Sequence, residues 1–418
     1  MSKIDELIKQ YCPDGIKYEE LGNIGVFYGG LSGKNKDDFK DGNCKYVTYT
    51  NIYSNPALKI DIEDRVNVQY GEKQNTIQYG DVLFTGSSET PDECGFSSVV
   101  TQKTNEKIYL NSFCFGFRLN DVTLFNPLFL KHLFRSYEIR KQIAGTASGV
   151  TRFNISKKRF AKIKIPVPPL PVQEEIVRIL DAFSSLEAEL EAELEARKKQ
   201  YEYYRNKLLT FDENTTGGGR IKFMQLEEVG TFIRGNGLQK KDFTDTGVGC
   251  IHYGQIYTYY GTFAERTKSY VSNNLAEKLK KARTGDLIIA TTSENVEDVG
   301  KAVAWLGNED ICISGDAFIY HHNQNPKYMS YLFQTNAFFE QKKKCITGVK
   351  VMRINDIAMS KFKFGFPPIE EQERIVAILD KFDSLVNDIS EGLPAELTAR
   401  RQQYEYYRNK LLTFEEAA

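Results

Sequence analysis

No apolar run in this sequence approaches the roughly 18 residues that a membrane-spanning helix needs, and its seven cysteines include no CxxC pair. An odd number of cysteines without that spacing argues against a disulfide framework and against a zinc site, so reduced, mostly buried thiols are expected. The four histidines show no ligand spacing either, and the adjacent His321 and His322 would point to opposite faces of a strand. No metal and no cofactor are therefore expected. The stretch YGGLSGKN comes near a phosphate-binding loop, but Tyr28 stands where that pattern needs glycine and Asn35 where it needs Ser or Thr. The opening MSKIDELIKQ lacks the apolar core of a signal peptide, which leads to the expectation of a cytoplasmic protein with no membrane contact. A charge excess is also missing, the formal net charge being −1. That total conceals a segregation: acidic residues crowd into LEAELEAELEA, while basic residues cluster at Lys157, Lys158 and Arg159 and at Lys342, Lys343 and Lys344. Local basic patches can hold DNA on a neutral protein.

What the sequence does have, it has twice. QYEYYRNKLLTF occurs at Gln200–Phe211 and again, without one difference, at Gln403–Phe414. Each copy closes a longer matching segment, which opens PPLPVQEEIVRILDAF at Pro168 and PPIEEQERIVAILDKF at Pro367. An identical twelve-mer in 418 residues comes from duplication, so the chain reads as two similar halves, each ending in a long helix. In the first helix Ile176, Ile179, Phe183, Leu186, Leu190, Leu194, Tyr201, Tyr204 and Leu208 recur at steps of three, four or seven, the seam of a coiled coil about 60 Å long. Together with Leu180 and with Ile375, Leu379, Phe382, Tyr404, Tyr407 and Leu411 of the second copy, these positions are candidates for helix-pair packing or partner docking. The proline segments are offset by 199 residues and the tyrosine segments by 203, so the second copy carries four extra residues. They fall around Gly392, Leu393 and Pro394, where glycine then proline should interrupt or kink the helix.

Ahead of each helix lies a globular stretch with short β-branched and aromatic runs between Gly, Asn and Asp turns, which reads as strands. In the first of these, Pro127 to Ile143 has apolar residues at helical spacing and predicts one helix packed on the sheet. The parallels YVTYTNIY with CIHYGQIY, and GDVLFTGSSE with GDLIIATTSE, preserve the frame while most side chains differ. The expected architecture is α+β: two similar globular domains, two long antiparallel coiled-coil helices and an internal pseudo-two-fold repeat. Its divisions are 1–165 (with a helical lead at 1–16), a helix at 166–211, a flexible linker at 212–220, 221–364, and a helix at 365–418.

The PP-L/I-x-x-Q-E helix starts, the YYRNKLLTF ends, the LEAE tetrads and the PDGIKYEELG opening together resemble the specificity subunit of type I restriction-modification systems. The resemblance runs through the whole chain in order. It implies two target recognition domains, each reading one half of a split, asymmetric sequence in double-stranded DNA, on helices that set the spacer. It also implies two adenine-N6 methyltransferase subunits docked on the helices, motor-nuclease subunits joining for restriction, and no catalysis by this chain. In keeping with that, no Asn/Asp-Pro-Pro-aromatic methyltransferase motif occurs. Pro91-Asp92 likewise lacks the acid-x-lysine of a nuclease, the downstream sequence being VVTQK. A rival reading from geometry alone is a coiled-coil scaffold whose globular ends bind proteins.

Residues that read different half-sites should lie where the halves diverge. The paired loops SSETPDECGF and TSENVEDVGK offer Ser87, Ser88, Glu89, Ser293 and Glu294 for base edges. A second pair, SGVTRFNISKKR and TGVKVMRINDIAMSK, offers Arg152, Lys157, Lys158, Lys350 and Arg353 for phosphate or guanine. Two glycine-rich basic loops add Lys34, Lys36, Arg234, Lys240 and Lys241.

Overall fold

The computed structural model describes residues 3–213, 220–388 and 390–417. The expected linker lies, from residue 214 to 219, outside the described residues. Among them no helix is long and apolar enough to cross a membrane, and no three His, Cys, Asp or Glu gather as metal ligands. The chain forms two compact units: Met1–Glu191 with Glu396–Ala418, and Ala192–Ala395.

Unit 1 is built on an antiparallel sheet with strand order Gly25–Gly29, Cys114–Leu119, Val82–Thr85, Ser97–Val99. The alternation Phe84, Phe115, Phe117 on one face packs with Phe129, Leu133, Phe134 and Phe160 into a fully buried aromatic core. A second small sheet pairs Cys44–Val47 in parallel with Ile108–Leu110. Unit 2 repeats this. Its main sheet runs Gly230–Arg234, Ala317–His322, Leu287–Ala290, Ala302–Trp305, Phe263–Ala264, and Val248–Ile251 pairs in parallel with Ile311–Ile313. The fifth strand of unit 2 is represented in unit 1 by a single bridge, Ala57 with Val99.

The single helix expected over Pro127–Ile143 is two, Pro127–Leu133 and Tyr137–Ala144. The Ser136 hydroxyl donates to the Leu133 carbonyl at 2.7 Å and turns the chain there. Short hydroxyl side chains compete in this way with the helical ladder. Thr335 does the same to Leu332 in unit 2, between Pro326–Leu332 and Asn336–Lys343.

The central helix is continuous from Leu170 to Leu209. The second long helix is interrupted where the four extra residues fall, as the glycine and proline there lead one to expect, and runs as Ile369–Asn387 and Leu393–Leu411. There the Asp388 carboxylate accepts from the backbone and hydroxyl of Ser390, and a Cβ on Gly392 would lie 2.4 Å from the Ser384 carbonyl oxygen. Within unit 1 the start of the central helix runs antiparallel to the last helix: Phe183 stacks on Tyr407, and Arg401 bridges Glu187 at 2.7 Å and also Glu191. Within unit 2 the equivalent Phe382 stacks on Tyr204, and the Tyr201 hydroxyl meets Asp383. Tyr404 and Leu411 lie against the unit 1 core, Leu208 against that of unit 2.

Ile176, Leu180, Ile375 and Leu379 are almost wholly buried in the cores of their own domains rather than facing a partner. The glutamine of each PP-x-x-Q-E start ties the same helix to its domain. Gln173 is fully buried, accepts from the Asn126 amide and donates to the carbonyls of Leu124 and Pro168. Gln372 likewise accepts from the Asn325 amide and donates to the Pro367 carbonyl, but its second donor bond goes to the Gln324 side chain. The repeated twelve-mer anchors the other side: Asn409 accepts from the first amide of helix Tyr137–Ala144, and Asn206 from that of Asn336–Lys343, giving an acceptor to an orphan donor of each helix start.

Candidate nucleic-acid interface

In each unit the two diverging loops meet. Ser87–Ser88 pairs with Phe153–Ile155, which folds back on Ala147–Ser148; Thr292–Ser293 pairs with Met352–Arg353. The hairpin tips are alike because both need glycine. Gly149 and Gly348 have φ of +152° and +100°, and a Cβ on either would lie about 2 Å from the carbonyl oxygen of Arg152 or Val351. Val150 and Val349, beside them, are 91% and 90% exposed.

Beneath the unit 1 ribbon lies a cavity of about 570 Å³, lined by Tyr49, Tyr53, Ser87, Ser88, Glu89, Glu93, Phe113, Thr151 and Arg152. Tyr49 and Tyr53 lie one turn apart on helix Tyr49–Ser54, which Thr48 caps. The Tyr49 hydroxyl donates to the Ser87 carbonyl, and the Tyr53 hydroxyl to Glu93 at 2.8 Å. Ser88 donates to the other oxygen of that carboxylate. The Tyr53, Ser88 and Thr90 hydroxyls hold Glu93 below the usual carboxylate range. Arg152 donates twice to the Ser87 hydroxyl and lies over the Phe113 ring.

Unit 2 builds a cavity of about 420 Å³ at the equivalent place, lined by Tyr253, Tyr257, Thr292, Ser293, Glu294, Asn295, Asp298, Val351 and Lys240 among others. Here it is Tyr257 that donates to the Thr292 carbonyl, and Asp298 is held by Asn295 at 2.8 Å. The Arg152 position is taken by Val351. Frame, tyrosines and the Ser-Glu pair (Ser88-Glu89 and Ser293-Glu294) repeat; the lining differs in Arg152 against Val351, Glu93 against Asp298, and Lys240, which lines only the second cavity.

Of the candidates, Ser87, Ser88, Glu89 and Arg152 come together in the first cavity, and Ser293, Glu294 and Lys240 in the second. Lys157, Lys158, Lys350 and Arg353 are exposed on or just beyond the ribbons, and Lys36 and Lys241 are exposed on their loops. Arg234 is exposed, its guanidinium donating to the Gly315 carbonyl. Lys34 is taken out of the set: its side chain is 7% exposed and its ammonium is paired with Glu72 at 2.6 Å. Sequence reading missed the two tyrosine pairs, Glu93 and Asp298. The signal was available in YxxxY recurring at the same place in both halves.

The fold defines a class: a protein with two homologous domains whose concave faces are lined differently. Known proteins narrow it. Residues 13–196 and 220–399 both match the family model described as the type I restriction modification DNA specificity domain, and the chain belongs to that family. A protein of Haemophilus influenzae named for a type I restriction enzyme specificity subunit is 33% identical over 280 residues, covering 64% of this chain and 68% of that one. The EcoR124I/EcoR124II specificity subunit of Escherichia coli is 36% identical over 272 residues, covering 62% and 65%. A solved structure from work on assembly of the type I R-M system superposes with a TM-score of 0.65 at 18% identity, over 96% of this chain and 98% of that one, a likeness of fold.

Proposed function

We propose that each unit reads one half of a bipartite, asymmetric DNA target through its ribbon and cavity, and that the chain gives sequence specificity to adenine-N6 methyltransferase subunits that carry out the chemistry. The observation that supports this is the pair of equivalent cavities with unlike linings. One frame repeated holds two readers of the same kind, and divergent linings let them read different bases. Arg152, Glu89 and the Ser88 hydroxyl in the first, and Lys240, Ser293 and Glu294 in the second, supply donors and acceptors for base edges. The exposed Lys36, Lys157, Lys158, Arg234, Lys241, Lys350 and Arg353 supply phosphate contacts.

The helices set the unread gap and dock two methyltransferase copies, with motor-nuclease subunits joining for restriction. Tyr203 and Tyr406, at equivalent places in the repeated twelve-mer, are 58% and 61% exposed. Two identical exposed patches suit two copies of one partner. A protein-binding scaffold would give no reason for the twin cavities, and family membership weighs against it.

The experiment is to co-express the chain with its methyltransferase and map methylated adenines in the host DNA. A split motif with a fixed gap, absent without this chain, is the expected result. Methylation that does not depend on this chain would refute the reading. Binding of DNA by the complex should also weaken log-linearly with salt, since phosphate contacts release counterions.

A further inference from the structure

In each cavity one carboxylate, Glu93 or Asp298, sits between two backbone carbonyls that are gripped from below by a cation, half-buried in unit 1 and buried in unit 2. In unit 1 the Arg140 guanidinium donates to the carbonyls of Asp92 (2.6 Å) and Cys94 (2.7 Å), the neighbours of Glu93, and to Gly95 (2.6 Å). In unit 2 the Lys342 ammonium donates to the carbonyls of Glu297 (2.6 Å) and Val299 (2.7 Å), the neighbours of Asp298. By the alignment of the two loops these are the same two carbonyls.

The cations, however, are not equivalent residues. Arg140 corresponds to Phe339, and Lys342 to Ile143, positions three apart on matching helices. Residues three apart share a helix face, so both side chains can reach the loop, and the two units meet one requirement from different positions.

Both cations sit where a charge is costly. Burial pushes Arg140 down to about 10, with Arg135 adding to the effect and Asp92 opposing it. Burial pushes Lys342 down to about 8 against the attraction of Asp298 and Glu297. Their remaining surroundings are aromatic: Phe96 carries Arg140 at 4.5 Å and Arg135 at 4.6 Å, and Phe339 lies 5.3 Å from the Lys342 ammonium. A loop that needed only to be covered could be held by neutral donors. One cation bonded to the carbonyls on both sides of the carboxylate residue fixes that residue's backbone.

We infer that Glu93 and Asp298 are base-reading acceptors, each for an exocyclic amino group of adenine or cytosine, and that Arg140 and Lys342 are positioning residues that fix their reach. This rests on the DNA-reading function proposed above and names the atoms within it. A carboxylate accepts from a base amino group and cannot from a carbonyl edge. Glu93 is braced by Tyr53 and Ser88, and the shorter Asp298 by Asn295, so the two would address amino groups at different depths.

The test uses the full chain in its methyltransferase complex, with methylated adenines mapped by sequencing. Glu93→Gln should relax or change one base position of one half-site by about tenfold, and Asp298→Asn one position of the other half-site. Arg140→Met and Lys342→Met should relax those same positions, while Lys342→Arg, which keeps the charge and the reach, should restore discrimination. Uniform loss of methylation with the motif unaltered in all four variants would reduce the cations to structural supports and overturn the inference. So would equal relaxation in both half-sites. Glu93→Gln, whose side chain is only half-buried, keeps the test open if a cation variant fails to fold. Should the unaltered chain direct no methylation, it is the underlying function that fails.

Discussion

Unit 1 and unit 2 differ least where side chains hold backbone and most where side chains face a cavity. Gln173 and Gln372, Asn409 and Asn206, and the stacks of Phe183 on Tyr407 and Phe382 on Tyr204 are pairwise identical in residue type and alike in the main contact each makes. The glutamines satisfy buried backbone groups, and a buried polar group left unpaired is costly; the asparagines cap helix starts and the ring stacks pack the helices. In the cavities Arg152 stands against Val351 and Glu93 against Asp298, and nothing in the frame requires them to match. Between these extremes are positions where one task is met in two ways. His132 of unit 1 bridges Asp181 and the Tyr404 hydroxyl, whereas at the same place in unit 2 Tyr331 donates directly to Asp380 at 2.7 Å.

The frame can be broken most severely at its glutamines. Gln173→Ala and Gln372→Ala each strand a backbone amide and at least one carbonyl, and each should cost about 2–4 kcal/mol in chemical denaturation of the full chain. Similar costs would uphold the equivalence of the two units, and a near-neutral Gln372→Ala would remove it. Next comes the unlike lining. Arg152→Glu should weaken recognition of the first half-site by roughly tenfold or more, and leave the second nearly untouched, because its counterpart is Val351. Equal losses at both half-sites, measured with targets altered in one half at a time, would place Arg152 away from DNA.

The smallest effect sharpens the third class. Burial holds His132 below its ordinary value, although Asp181 opposes this. Below about pH 6.5 the unfolded chain therefore binds a proton that the folded chain refuses, and stability falls as pH drops through that window. His132→Tyr, which installs the unit 2 arrangement, should lessen the fall in urea midpoint between pH 7 and 5 relative to the unaltered chain. An unchanged pH dependence would mean that His132 is not held neutral by its surroundings.

The duplication, the long helices and the break at Gly392 were legible in the sequence because each is written in local, periodic or repeated residues. The split at Ser136 was not. PLFLKHLFRSYEIRKQI keeps helical spacing across it, and only the hydroxyl turning back on Leu133 reveals the end of the first helix. Arg152 could be found by asking where the halves diverge, and Ser88 because it lies in a loop that differs around it. The tyrosine pairs could not be found by that question, since they repeat. Lys34 was misjudged because its partner, Glu72, is 38 residues away. Arg140 and Lys342 were illegible for the same reason: their partner carbonyls lie some 45 residues upstream, and the two residues do not align with each other.

The most direct test of the central claim, that each unit reads its own half-site, is to exchange residues 222–364 for the corresponding domain of another specificity subunit and map the methylated motif. A motif in which one half is replaced and the other is retained is the predicted result. Replacement of both halves, or of neither, would contradict it.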